Sequence, residues 1–78
     1  MKRYIRSAEG LTSRERIKIA NNSTDPKELS RLAHDNSIKV RQAVAVNPST
    51  PAKTLELLAN DGDVYVRRRI ADNQNTPV

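Results

Sequence analysis

The chain has 78 residues, with 14 Lys and Arg against 9 Asp and Glu, two Tyr, and no Cys, Phe or Trp. That length gives one domain at the small end of what folds alone, and the missing Cys excludes disulfides, zinc knuckles, iron–sulfur clusters and thiol catalysis. A net charge of +5 favours acidic partners, while so thin and aromatic-poor an apolar complement excludes a deep pocket for a small-molecule substrate or cofactor.

In chain order the residues predict six short helices, an all-α fold. The first, 2–9, opens on Lys2 and Arg3 with no apolar stretch behind them. No secretory leader is therefore expected, and the cytoplasm is the expected compartment. Helix 13–21 follows Thr12, a good N-cap, with Glu15 at capping-box distance. Helix 26–34 follows Asp25-Pro26, a capping side chain ahead of Pro, with Glu28 as a second capping-box partner. Helix 38–46 follows Ser37. It contains Ala43-Val44-Ala45-Val46, the longest apolar run and far too short to span a membrane. Its start, Ile38-Lys39-Val40-Arg41, alternates like a strand, but its repeat mates do not, and the segment is assigned as helix. Helix 51–60 follows Thr50-Pro51, and helix 64–72 follows Asp63. Gly10 and Gly62 fall between helices, where a positive φ is useful.

The mates come from an internal repeat. Ile19-Ala20-Asn21-Asn22, Val44-Ala45-Val46-Asn47 and Ile70-Ala71-Asp72-Asn73 align at spacings of 25 and 26, each followed four residues on by Pro26, Pro51 or Pro77. Leu29-Ser30-Arg31-Leu32-Ala33-His34-Asp35 matches Leu55-Glu56-Leu57-Leu58-Ala59-Asn60-Asp61. The expected organisation is one repeat domain, 1–78, with a degenerate cap helix in 1–11, units at 12–36 and 37–62, and a truncated unit at 63–78. Val40, Ala43 and Val46 of the middle unit become Glu15, Lys18 and Asn21 in the first and Val66, Arg69 and Asp72 in the last. A central helix covered on both sides and end helices with one wet side explain the change. A mostly monomeric stack follows, with end-to-end dimerisation through helix 64–72 left open.

The string Leu32-Ala33-x-Asp35, Val40-Arg41-x-x-Val44-Ala45-x-Asn47-Pro48-x-Thr50-Pro51, Leu55-x-x-Leu58-Ala59-x-Asp61 resembles the variant leucine-rich repeat, a relative of HEAT and armadillo repeats. The resemblance covers roughly residues 12–77. It implies a short right-handed α-solenoid of about three helix pairs, some helices 3₁₀, a macromolecule-binding role, and no reaction. The iron–sulfur module joined to some such repeats needs cysteines this chain lacks.

Arg16, Arg41 and Arg67 share one repeat position and form a ladder about 20 Å long if units stack at roughly 10 Å. Asp35 precedes Arg41 by six residues, and Asp61 precedes Arg67 by six. Structural ion pairs within each turn are the expectation for these four, leaving Arg16, with Gly10 in place of the acid, as the free member. Arg68 and Arg69 on the last helix, and Arg14, Arg16 and Lys18 on the first, are the candidate macromolecule-binding residues. Asn22, Asn47 and Asn73 at helix ends are expected to be structural, since Asn tolerates the left-handed conformation and bonds nearby backbone. Asp61-Gly62-Asp63 lacks the further acids of a calcium loop. The lone His34 has no nucleophile pattern around it, and two Gly leave no phosphate loop.

The sequence thus points to a non-catalytic module, first a protein–protein interaction scaffold. The alternative is a binder of DNA or RNA phosphates through the basic ends, with steep salt dependence and little sequence reading.

Overall fold

The computed structural model describes residues 10–73. The helix expected over 2–9, the Thr76-Pro77 start and the unit limits inside 1–9 and 74–78 lie outside the described residues. Five helices occupy the rest: α1 (Ser13–Asn22), α2 (Pro26–Leu32), α3 (Ile38–Val46), α4 (Ala52–Leu58) and α5 (Val64–Ala71). No strand occurs among the described residues.

Each odd-numbered helix starts on a side-chain cap. The hydroxyl of Thr12 accepts from the Glu15 amide while Glu15 Oε1 accepts from the Thr12 amide, a full capping box. Ser37 Oγ accepts from Val40, and Asp63 Oδ1 from Tyr65 and Val66. These caps satisfy the amides that a helix start leaves without partners. They fix α3 as a helix despite the β-branched Ile38, Val40, Val44 and Val46.

The even-numbered helices end earlier than expected, and α4 also starts differently. Residues 33–35 and 59–61 leave the helix through tight turns in which Ala33 and Ala59 are the C-caps, so α2 and α4 stop earlier than 34 and 60. Asp25 does cap α2 through the Lys27 amide. Glu28, however, closes no box with it and instead accepts from Ser23 Oγ at 2.6 Å. Thr50 is not the cap of α4. It is buried and donates its hydroxyl to the Val44 carbonyl at 2.7 Å, and α4 begins after Pro51 with no capping side chain. No positive φ occurs at Gly62 or at Asn22, Asn47 and Asn73, so the left-handed turns expected at those positions are absent.

Helices α1, α3 and α5 form one row with α3 in the middle, α2 packs on α1 and α3, and α4 packs on α3 and α5. The core is one cluster. Leu29 and Leu32 of α2, Val40 and Val44 of α3, Leu55 and Leu58 of α4, and Val66 and Ile70 of α5 are all buried, with Ala20, Ala33, Ala43 and Ala45 filling the narrow contacts. Burying each of the larger side chains stabilises by about 2 kcal/mol. The middle helix contributes four buried residues, α1 contributes Ala20 alone, and α5 contributes Val66 and Ile70. This is the asymmetry the polar substitutions foretell, with one correction: Val46 is 44% exposed. It lies on the open face of the row, not between its helices.

Candidate interaction surface

The Arg and Asp of the repeat build a continuous chain of contacts along the row. Arg16 Nε donates to Asp35 Oδ2 at 2.7 Å and its Nη2 to Oδ1 at 3.1 Å. Arg41 does the same to Asp61, at 2.9 and 3.3 Å. The other guanidinium nitrogen of each, Nη1, turns to a main-chain carbonyl before its own helix: Arg16 to Leu11, Arg41 to Asp35 and Arg67 to Asp61. Each Asp therefore receives one Arg on its carboxylate and the next on its carbonyl, in the order Arg16, Asp35, Arg41, Asp61, Arg67.

This corrects the expected pairing. The carboxylates of Asp35 and Asp61 serve the Arg of the preceding odd helix, not Arg41 and Arg67 of the following one. The cause is local. Asp35 Oδ1 also accepts from the Ser37 amide, and Asp61 Oδ2 from the Asp63 amide, both at 2.9 Å. Such a turn of the side chain onto its own backbone aims the carboxylate backward and leaves the carbonyl facing forward. Arg16 is consequently paired, its side chain 16% exposed against 8% for Asp35. The member without a carboxylate among the described residues is Arg67.

Burial works against the charge of Asp35, but the hydrogen bonds from Arg16 and Ser37 and the charges of Arg16 and Arg41 outweigh it. They hold the carboxyl below its ordinary value of 3.8. The bond to Asp35 raises Arg16 above its ordinary value, against a smaller opposing effect of burial.

The Asn positions hold the row from its other end. Asn47 Nδ2 reaches back to the carbonyls of Ala20 and Ser23, at 2.7 and 2.9 Å. Asn73 Nδ2 reaches those of Ala45 and Asn47, at 2.7 and 3.0 Å. Both Asn are buried, and the Ala they cross are fully buried. Asn22 instead is exposed, and its Nδ2 donates within its own helix, to Lys18.

With the register pinned at both ends, the outward positions of α1, α3 and α5 line up. A shallow groove of about 270 Å³ runs across the row between Ile17, Asn21, Lys39, Gln42, Ala43, Val46 and Arg69. The four α3 positions 39, 42, 43 and 46 follow the spacing of one helix face. Their repeat equivalents are Arg14, Ile17, Lys18 and Asn21 on α1, and Tyr65, Arg68, Arg69 and Asp72 on α5. Arg14, Arg68 and Arg69, separated in sequence, fall on that face by repeat position, all exposed, while Lys18, the equivalent of the buried Ala43, lines the outer side of α1 with Glu15 and Glu28. Lys39, which the sequence reading passed over, sits between them. The available signal was its place in the repeat, equivalent to Arg14. One carboxylate, Asp72, belongs to this face. Arg68 stands 5.9 Å from the centroid of the Tyr65 ring, a cation–π distance.

Other candidate positions are committed elsewhere. The Asp61 and Asp63 carboxylates serve the row and the α5 cap, and His34 is exposed just past α2. No described helix is long and apolar enough to cross a membrane.

Residues 38–63 match the family model described as leucine rich repeat variant. The match begins at the first residue of α3 and ends at the cap of α5. Repeats of this family are generally non-catalytic protein-interaction modules. No curated protein and no solved structure matches the chain.

Proposed function

We propose that this chain, which carries a leucine rich repeat variant unit at residues 38–63, is a non-catalytic scaffold that docks an acidic protein segment across the open face of α1, α3 and α5. The observation that supports this is the groove across the row, where Lys39 and Arg69 stand beside Ile17, Ala43 and Val46, with the exposed Arg14 and Arg68 at equivalent repeat positions against Asp72. Cations at the edges and aliphatic carbon between them suit a segment of carboxylates flanking apolar side chains. Such a surface steers an acidic partner and fixes its register. Tyr65, the one aromatic side chain among the described residues, already carries Arg68, which leaves no platform for stacking bases.

The test is a titration of the full chain with a labelled short peptide of Glu residues flanking two Leu, beside random-sequence duplex DNA, at two salt concentrations. Saturable peptide binding is expected, lost when Arg14, Lys39, Arg68 and Arg69 are changed to Glu while the circular dichroism spectrum is kept. Binding to the duplex alone, falling steeply with salt, would replace this reading with phosphate-backbone binding.

A further inference from the structure

The contacts that join α1 to α3 recur between α3 and α5, and α5 presents the same groups again on its far side. Two features define the joint. At one end a guanidinium, held by its own loop through Nη1, offers Nε and Nη2 to an Asp carboxylate: Arg16 to Asp35, Arg41 to Asp61. At the other end an Asn side chain crosses a buried Ala and donates to its carbonyl: Asn47 to Ala20, Asn73 to Ala45. The Asp and Asn that grip together lie twelve residues apart in both cases, Asp35 with Asn47 and Asp61 with Asn73.

On α5, Arg67 Nη1 is held by the Asp61 carbonyl at 2.6 Å, the orienting contact Arg41 makes to Asp35 at 2.7 Å. Its Nε and Nη2 meet no carboxylate among the described residues. Ala71, equivalent to the fully buried Ala20 and Ala45, is exposed. The fork is set in place, with no carboxylate on it among the described residues.

We propose that the far face of α5, built on Arg67 and Ala71, docks one further helical unit of the same kind, which carries Asp-x-Ser or Asp-x-Asp before its helix and Asn twelve residues after that Asp. The carboxylate takes Arg67 Nε and Nη2, and the Asn amide takes the Ala71 carbonyl. A bidentate guanidinium–carboxylate pair fixes geometry as well as charge, which gives the joint its register. A second copy of this chain does not supply the unit. Its Asp35 and Asp61 are already engaged, and the residue twelve before Asn22 is Gly10, which has no carboxylate.

The probe is a peptide with the sequence of residues 48–73, which contains such a unit, added to the isotopically labelled full chain. Saturable binding with resonance shifts confined to α5 is expected. It should weaken about tenfold or more when the peptide carries Asp61→Asn or the chain carries Arg67→Gln, and stay unchanged with Lys27→Gln. A covalent arm covers a peptide that does not fold alone. When residues 48–73 are repeated directly after Asn73, Arg67→Gln should lower the melting temperature as much as Arg41→Gln does. Absence of binding together with indifference of the extended chain to Arg67→Gln overturns the proposal, as does binding insensitive to both substitutions. Charge reversal at Lys39, on α3, leaves this joint intact, so the two surfaces fail independently.

Discussion

Asp35, in the turn between α2 and α3, accepts the Nε–H of Arg16 of α1, nineteen residues earlier, while its own carbonyl accepts Arg41 of α3 six residues later. One residue thereby ties three helices, and Asp61 repeats the device one unit on. This makes the described part of the chain a registered row of helices, and it brings Lys39 of α3 and Arg69 of α5 to one groove.

The pairing makes stability depend on acid. Asp35 titrates below its ordinary value when folded, so the unfolded chain binds the proton more readily. The stability this contributes is complete above the ordinary carboxylate value, about 4, and is lost as pH falls through the lower folded value. Thermal melts from pH 6 down to pH 2.5 should show a falling midpoint. The Asp35→Asn variant should begin lower and fall less steeply.

Asn47 and Asn22 occupy one repeat position with different surroundings. Replacing Asn47 by Ala removes a buried donor from two carbonyls and should cost about 2–3 kcal/mol in urea unfolding. Asn22→Ala removes an exposed bond within one helix and should cost less than about 0.5 kcal/mol.

That contrast shows what the sequence discloses. The repeat placed the caps at Thr12, Ser37, Asp25 and Asp63, because capping is decided within a few residues of chain, but it pointed Asn47 and Asn73 to nearby backbone, whereas their Nδ2 groups reach carbonyls 24 to 28 residues away. It assigned 38–46 as helix against its own local alternation, because the mates carried the periodicity. The direction in which each Asp points was not legible. Asp35 has a suitable Arg on either side in sequence, and the choice rests on the bond to the Ser37 amide. Lys39 was missed because a lone cation between apolar residues marks no face until the neighbouring helices are set in register. Thr50 looked like a cap because Thr-Pro fits a helix start, but its hydroxyl was claimed by the end of α3.

Gly62 needs no special backbone. It has no positive φ, and a Cβ built there meets nothing within 4 Å. Gly62→Ala should therefore stabilise the fold by about 0.5–1 kcal/mol by restricting the unfolded chain, visible as a higher urea midpoint at unchanged slope.

Lys39 lies in the centre of the open face, whereas Lys27 is exposed on α2 beside Pro26 and Ser30. The Lys39→Glu chain should bind the acidic peptide about tenfold more weakly at low salt, with little change in stability. Lys27→Glu should leave binding nearly as it was, although both variants carry the same net charge. Equal losses would assign the binding to overall charge.

The register of the row underlies both proposed surfaces, and a pair of double-mutant cycles reads it directly. Asp61→Asn is combined once with Arg41→Gln and once with Arg67→Gln, and the unfolding free energies are compared. A coupling of about 1 kcal/mol or more between Asp61 and Arg41, with a much smaller one between Asp61 and Arg67, is predicted. The reverse order would return each Asp to the Arg of its own turn and contradict the account.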